Sequence, residues 1–225
     1  QELSVRTRAL EETPEQQLLC DQFVHGVEKE DGSLERLEFR NEDKFNFAFD
    51  IVDGLARREP DKLAMVHVAN DGTERRFTFK DMKDASSQAA NYFTSLGVKR
   101  GDRVMLVLKR HYQFWFAILG LHKLGAIAIP ATNQLMEHDF TYRFKAAGVS
   151  AIVCTADGDT AHQVDIAEAD AGVHLTKVLV GGKREGWHDF DAEYGLFSRR
   201  YTRTADAPCG DDPMLMFFTS GTTGY

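Results

Sequence analysis

The residues best suited to chemistry form a seven-residue run near the end of the printed sequence, Phe218-Thr219-Ser220-Gly221-Thr222-Thr223-Gly224. Four of the five positions from Thr219 to Thr223 carry hydroxyl groups, which donate hydrogen bonds without depending on a charge state. The glycines allow the backbone to approach an anion and to point successive N–H groups at it. This composition predicts a phosphate-binding loop, with an ordinary Ser/Thr/Gly turn as the alternative. It is not a Walker-type P-loop, because the sequence has no G-x-x-x-x-G-K-[ST].

The segment that positions this loop is the apolar run Met214-Leu215-Met216-Phe217-Phe218. Its length and composition predict a buried strand. Open α/β sheets bind ligands at the carboxyl ends of their strands, which is where the loop would lie. Lys109-Arg110 follows another predicted strand and could also meet a phosphate, although we interpret it as a solvated strand end.

Upstream of the loop, apolar strands alternate with amphipathic helices. Strands are predicted at 63–68, 104–108, 126–129, 151–155 and 177–180, and helices at 45–56, 79–96, 112–124, 139–147 and 160–171. Asn70-Asp71-Gly72 predicts a hairpin turn that returns the chain antiparallel over 73–79. Thr78 and Asp81 have the spacing of a capping box, and Gly97 suits the end of the helix that they begin. We therefore predict an α/β fold: a mostly parallel sheet flanked by helices, with a small antiparallel hairpin.

Three regions are predicted along the chain. Residues 1–44 form a largely helical and acidic N-terminal extension, with a loop near Asp31-Gly32-Ser33. Residues 45–205 form an α/β subdomain, and residues 206–225 begin a second α/β subdomain that is truncated after the phosphate loop.

Composition excludes several classes of protein. The net charge is −8, and residues 1–60 hold 15 Asp and Glu against 8 Lys and Arg, which argues against nucleic acid as a partner. No apolar stretch is long enough to cross a membrane. The three cysteines and eight histidines lack metal-ligand spacing, so we predict no metal site in the chain. We expect a cytoplasmic protein, or a mitochondrial-matrix protein if a targeting peptide has been removed.

The sequence resembles the adenylate-forming superfamily, which comprises acyl- and aryl-CoA synthetases, luciferases and the adenylation domains of peptide synthetases. The loop from Phe218 to Gly224 is similar to that family's signature, and Phe77–Met82 and Leu121–Pro130 are similar to two of its upstream segments, in the same order. The stretch Ala131-Thr132-Asn133-Gln134-Leu135 is most similar to the medium-chain acyl-CoA synthetase branch. The resemblance covers residues 45–225 and implies the N-terminal part of the acyl-CoA synthetase large domain.

The resemblance also implies a reaction. A carboxylic acid and ATP, with Mg²⁺, would give acyl-AMP and pyrophosphate, and CoA would then displace AMP. The ATP-binding residues would be Thr219, Ser220, Gly221, Thr222, Thr223 and Gly224. The family's catalytic lysine and its Mg²⁺ ligand would lie beyond Tyr225, so we assign no catalytic or metal-binding residue here. We expect the 225 residues alone to be an inactive fragment.

Two alternatives stay open from sequence alone. The same adenylation could serve another acceptor, as in luciferase-like or carrier-loading enzymes. The chain could also be a naturally short, non-catalytic α/β interaction module.

Overall fold

The structure is a computed structural model that describes residues 18–219. The chain divides into two compact units, Gln1–Glu42 and Asp43–Tyr225.

The described part of the first unit is a β-hairpin. A 3₁₀ turn, Leu19–Gln22, precedes strands β1 (Val24–Glu28) and β2 (Leu34–Phe39), which pair antiparallel. The expectation of a largely helical segment is therefore wrong over residues 18–42. The physical reason lies in Asp31-Gly32-Ser33, which is a hairpin turn: Asp31 Oδ1 accepts a bond from the Ser33 N–H at 2.9 Å, and Gly32 adopts a φ of 79°.

The second unit opens with the helix and hairpin that the sequence predicts. A π-helical turn, Phe47–Val52, continues directly into α1 (Asp53–Arg58), which ends before Pro60 as expected. Strands β3 (Leu63–Val68) and β4 (Glu74–Thr78) then pair antiparallel.

Helix α2 (Phe79–Ser95) begins and ends at the predicted residues. The Thr78 hydroxyl accepts from the Asp81 N–H at 3.2 Å, and the Asp81 carboxylate accepts from the Thr78 N–H at 2.8 Å, which completes the capping box. Gly97 follows the helix with a φ of 87°, a conformation that other residues adopt at a cost.

A five-stranded parallel sheet forms the centre of the unit, in the spatial order β6-β5-β7-β8-β9. Its strands are β5 (Arg103–Val107), β6 (Ile127–Pro130), β7 (Val149–Thr155), β8 (Thr176–Val180) and β9 (His188–Asp189). The connecting helices are α3 (Gln113–Leu124), α4 (Glu137–Ala147) and α5 (Thr160–Ala171), followed by α6 (Phe190–Glu193) and a 3₁₀ turn, Tyr194–Leu196. The predicted α/β fold is confirmed.

Both faces of the sheet are buried, as the apolar composition of β5 requires. Val104 and Leu106 face the cluster that contains α2, α3 and α6, while Met105 and Val107 face the cluster that contains α4 and α5. Side chains at successive strand positions point to opposite faces, so a continuous apolar strand fits only a sheet that is covered on both sides.

A buried lysine joins three of the helices. Lys123, near the end of α3, has a fully buried side chain, and its ammonium lies 2.9 Å from Asp53 Oδ1, 3.0 Å from Ser87 Oγ and 3.4 Å from the Lys83 carbonyl oxygen. Asp53 belongs to α1, and Ser87 and Lys83 belong to α2. Burial raises the pKa of Asp53 and lowers the pKa of Lys123, and each opposite charge counteracts that effect on its partner.

We expect Lys123→Met to destabilise the chain by about 3–5 kcal/mol, because it leaves the Asp53 carboxylate buried without a counter-charge. Lys80→Met is the matched control: it removes an i,i+4 ion pair between Asp84 and an exposed lysine, and such pairs contribute little to stability. Urea unfolding at neutral pH measures both. The double variant Lys123→Met/Asp53→Asn should recover part of the loss. A loss for Lys123→Met no larger than that for Lys80→Met would contradict a structural role for the buried pair.

The buried side chain of the neighbouring His122 is expected to make the folded protein less stable in acid. Its side chain is buried, its Nε2 accepts a bond from the Phe47 N–H at 3.2 Å, and burial lowers its pKa from 6.5 to about 4. The unfolded chain therefore binds a proton more readily, and stability falls as the pH drops from 6.5 towards 4, by up to about 1.4 kcal/mol per pH unit from this group. His122→Gln should flatten that slope in urea unfolding, whereas His138→Gln, at an exposed histidine, should not. Identical slopes for wild type and His122→Gln would refute the assignment.

Candidate functional site

An open cleft of about 650 Å³, called here the strand-end cleft, lies at the carboxyl ends of the sheet strands. It is lined by the residues that follow β5, β6 and β7 and by the end of β3, namely 67–70, 108–111, 131–133 and Asp157. The chain leaves β5 towards β6 on one side and leaves β7 towards β8 on the other. The reversal places a topological switch point between β5 and β7, where open α/β sheets bind ligands.

His111 joins the two strand ends across this switch point. Its Nε2 lies 2.7 Å from the hydroxyl of Thr155, and that hydroxyl accepts a bond from the Asp157 N–H at 3.1 Å. Burial lowers the pKa of His111, and the carboxylate of Asp157, 3.9 Å away, opposes this effect. The arrangement fixes the backbone after β7 against the end of β5.

The rest of the cleft is polar and carries cations. Lys109 lies 3.6 Å from Asp157 in a pair whose side chains are about half exposed, so it remains available to a ligand. His67 Nε2 bonds to the Arg110 carbonyl oxygen at 3.1 Å, and its buried Nδ1 has no partner within the described residues. We interpreted Lys109-Arg110 from sequence as a solvated strand end; the structure places both residues in the lining of the cleft.

The apolar run before the predicted phosphate loop differs from expectation. Residues 214–218 form one parallel bridge to β6: the Ala128 N–H donates to the Met214 carbonyl oxygen at 3.1 Å, and the Met216 N–H donates to the Ala128 carbonyl oxygen at 3.0 Å. Leu215 is 39% exposed and Phe217 is 62% exposed. The prediction of a buried strand is therefore wrong for the described residues, because the run lies along the sheet edge and only alternate side chains reach the core.

The predicted phosphate-binding residues fall at the boundary of the described chain. Thr219 is exposed and directly follows the run along β6. The run is parallel to β6, so Thr219 leaves it at the carboxyl end of the sheet, the edge that holds the strand-end cleft. Ser220, Gly221, Thr222, Thr223 and Gly224 lie outside the described residues.

The described residues offer no protein-only metal centre. Within residues 18–219, no three His, Cys, Asp or Glu side chains converge on a point that could hold a metal ion.

The helices in this range are also too short or too polar for any of them to cross a bilayer.

Sequence reasoning did not identify His67, His111, Thr155 and Asp157 as cleft residues. The available signal was their position at or just after the carboxyl ends of strands β3, β5 and β7. The order of strands in the sheet decides which strand ends become neighbours, and no local pattern in the sequence encodes that order.

The second unit matches a family model described as "AMP-binding enzyme" over residues 52–225. Among curated proteins, the chain is 36% identical over 191 residues to the rat (Rattus norvegicus) "Acyl-coenzyme A synthetase ACSM5, mitochondrial", covering 80% of this chain. It is 35% identical over 190 residues to the human (Homo sapiens) "Acyl-coenzyme A synthetase ACSM1, mitochondrial", covering 81% of this chain. The match covers 32% of either relative, so the chain spans about a third of their length.

The fold of this chain also matches solved structures. A Brucella canis acyl-CoA synthetase superposes with a TM-score of 0.68 at 26% identity, over 79% of this chain and 32% of that one. An anthranilate CoA ligase solved with anthranoyl-AMP superposes with a TM-score of 0.67 over 80% of this chain and 33% of that one. Its 22% identity supports the fold alone.

Two neighbouring aromatic residues in the run 214–218 differ in how they contact the rest of the unit. Phe218 packs beside Tyr142 at a ring distance of 6.1 Å and beneath the Arg143 guanidinium at 5.1 Å, whereas Phe217 is largely exposed. We expect Phe218→Ala to detach the run from β6 and to speed amide exchange at Met216 by about tenfold or more, as local opening becomes easier. Phe217→Ala should leave that exchange rate nearly unchanged. Equal protection in the two variants, measured by hydrogen–deuterium exchange, would contradict this anchoring.

Proposed function

This chain belongs to the AMP-binding enzyme family, and from that premise we propose that it carries the ATP-phosphate loop of an AMP-forming acyl-CoA synthetase. A carboxylate oxygen of the acid attacks the α-phosphorus of ATP, the bond from that phosphorus to the pyrophosphate oxygen breaks, and acyl-AMP and pyrophosphate form. The CoA thiolate then attacks the acyl carbonyl carbon, and AMP leaves with the electron pair of the broken C–O bond.

One observation carries the proposal: the direction in which residues 214–218 run. Their parallel bridge to Ala128 directs Thr219, the residue from which the Ser/Thr/Gly sequence continues, towards the carboxyl edge of the sheet. A phosphate loop on the opposite edge would be remote from the switch point, where substrates bind in α/β folds.

The roles proposed for the loop residues follow from their chemistry. Thr219, Ser220, Thr222 and Thr223 supply hydroxyl donors, while Gly221 and Gly224 allow the backbone to close around the β- and γ-phosphates. Donors fixed in advance stabilise the charge that develops on the leaving pyrophosphate, because they need no reorganisation during the reaction. Mg²⁺ would neutralise the same charge, and since residues 18–219 contain no ligand set for it, we assign no step to the metal.

The strand-end cleft supports binding of an anionic substrate beside the loop. Lys109 and Arg110 bring positive charge to the edge of a protein whose net charge is −8. We propose that the cleft accommodates negatively charged parts of the nucleotide or CoA, and that His111 and Thr155 hold its floor in place.

The location proposed for the protein follows the names of its relatives. Both curated relatives are described as mitochondrial, which favours the mitochondrial matrix over the cytoplasm among the two expected locations. A similar argument favours CoA as the acceptor over a luciferase-like or carrier-protein acceptor, since both are named acyl-coenzyme A synthetases.

The test is ATP–pyrophosphate exchange driven by carboxylic acids, followed by thioester formation with CoA, in the product of the complete reading frame and in residues 1–225 alone. We expect both activities in the first and neither in the second. Ser220→Ala/Thr222→Val should lower exchange by about a hundredfold, because two donors to the leaving phosphates are lost. Ser33→Ala, which removes an exposed hydroxyl in the N-terminal hairpin, is the matched control.

Exchange without thioester formation would replace CoA by another acceptor. Neither activity in the complete product, with any of a series of short, medium and aromatic acids, would overturn the proposal. Wild-type exchange in the loop variant would remove the loop from the mechanism.

A further inference from the structure

A second cleft lies under residues 195–208, a segment called here the strap. This strap cleft has a volume of about 230 Å³ and is lined by Lys83 and Ser87 of α2, Asp53 of α1, and strap residues 199–202. None of these residues lines the strand-end cleft, and the proposed reaction uses none of them.

The lining of the strap cleft carries excess positive charge. Lys83, Arg199 and Arg200 contribute three cations against one carboxylate, that of Asp53, which is already paired with the Lys123 ammonium at 2.9 Å. Within residues 18–219, the guanidinium groups of Arg199 and Arg200 have neither an ion pair nor a hydrogen bond, and Lys83 has only a contact of 3.9 Å with Asp84.

The environment of these cations is repulsive. Asp84 is engaged more closely by Lys80, at 2.8 Å, so it leaves Lys83 poorly neutralised. The positive charge of Arg199 also acts on Lys80: it lowers the pKa of that lysine, against the raising effect of Asp84. Lys83, Arg199 and Arg200 therefore share one cleft in a protein whose net charge is −8. Like charges held together destabilise one another unless an anion lies between them.

The strap holds the two arginines in a fixed place. Asn91 Nδ2 donates to the carbonyl oxygens of Ser198 and Arg200, both at 2.9 Å, and thereby secures the backbone on either side of Arg199. Gln88 Nε2 donates to the carbonyl oxygens of Gly195 and Phe197, at 2.9 and 3.1 Å. The amide side chains of α2 thus fix the backbone from which both guanidinium groups extend, which reduces the entropy lost when they bind a ligand.

Ser87 places a hydroxyl group in the lining of the strap cleft. It is 2% exposed, and its hydroxyl oxygen accepts a bond from the Lys123 ammonium, which can only donate. The hydroxyl keeps a proton of its own, which it can donate.

We propose that the strap cleft binds a phosphate-bearing anion between Lys83, Arg199 and Arg200, with the Ser87 hydroxyl as a further donor. Guanidinium groups match the geometry of phosphate oxygens and bind them bidentately, and lysine adds a point charge. The volume of the cleft is below the roughly 300–1,000 Å³ of pockets for drug-sized ligands, so it suits pyrophosphate or a phosphate head group rather than a whole nucleotide.

The test is isothermal titration calorimetry of the 225-residue chain with sodium pyrophosphate and with sodium phosphate, at about 0.15 M salt so that long-range charge effects are screened. We expect saturable one-to-one binding. Arg199→Gln/Arg200→Gln should weaken it by about tenfold or more, because two charge-assisted bonds are lost. Lys83→Gln, a single replacement on α2, should weaken it too and gives a second route to the answer if the double variant folds poorly.

The matched control is Arg75→Gln/Arg76→Gln, which removes two charges from adjacent exposed arginines on β4, outside the strap cleft. Its affinity should stay within about twofold of wild type, because long-range charge effects are screened. Equal weakening in the control and the strap variant would show non-specific attraction and overturn the proposal.

A parallel flotation assay separates the two sources of the phosphate. It uses vesicles of phosphatidylcholine with about one-fifth phosphatidic acid, whose head groups are anionic. Binding of vesicles but not of free anions, lost in Arg199→Gln/Arg200→Gln and retained in the control, would support the cleft with a lipid head group as its ligand. Absence of binding in both assays would overturn it.

Discussion

One buried ammonium group holds together the helices that lead to the edge of the sheet where Thr219 lies. Lys123 binds Asp53 of α1 and Ser87 of α2 from its place on α3, and so fixes the end of α3 against two other helices. Two residues later, Gly125 adopts a φ of 90° and turns the chain into β6. β6 then holds the run before the loop through Ala128. The direction of Thr219 is thus set by a chain of contacts that begins at Lys123.

A buried charge can hold this position because every donor of the ammonium group has a partner. Lysine has three N–H donors, and the carboxylate of Asp53, the hydroxyl of Ser87 and the carbonyl of Lys83 accept them. The ring of Phe49 lies 5.5 Å from the same nitrogen and adds a cation–π contact. The geometry can therefore offset a desolvation penalty that an incompletely paired lysine would not overcome. An apolar residue could fill the volume, but it would not fix the relative orientation of three helices in the same way.

Local patterns in the sequence predict most of the helices and strands. The features that they do not predict depend on contacts between residues that are far apart in the sequence. Thr78 and Asp81 are read correctly because a capping box involves only residues three apart. The sequence does not reveal the hairpin of residues 24–39, because Asp31-Gly32-Ser33 suits a loop of any kind. Only the pairing of the flanking strands distinguishes a hairpin turn from another loop. Residues 214–218 are apolar enough for a central strand, yet they lie along the edge of the sheet beside β6. Whether an apolar run becomes buried depends on the elements that cover it, and the run itself does not encode them. His111 and Thr155 became neighbours through the strand order alone.

The two clefts show how an acidic protein can carry local positive charge. With a net charge of −8, the molecule repels anionic ligands at a distance, but salt screens that repulsion beyond about 8 Å at physiological ionic strength. What decides binding is the charge within that radius. Lys109 and Arg110 at the strand ends, and Arg199 and Arg200 on the strap, are adjacent basic pairs on backbone that is fixed by other contacts. In both proposals, anion recognition depends on the local placement of charge rather than on its total, which composition alone does not reveal.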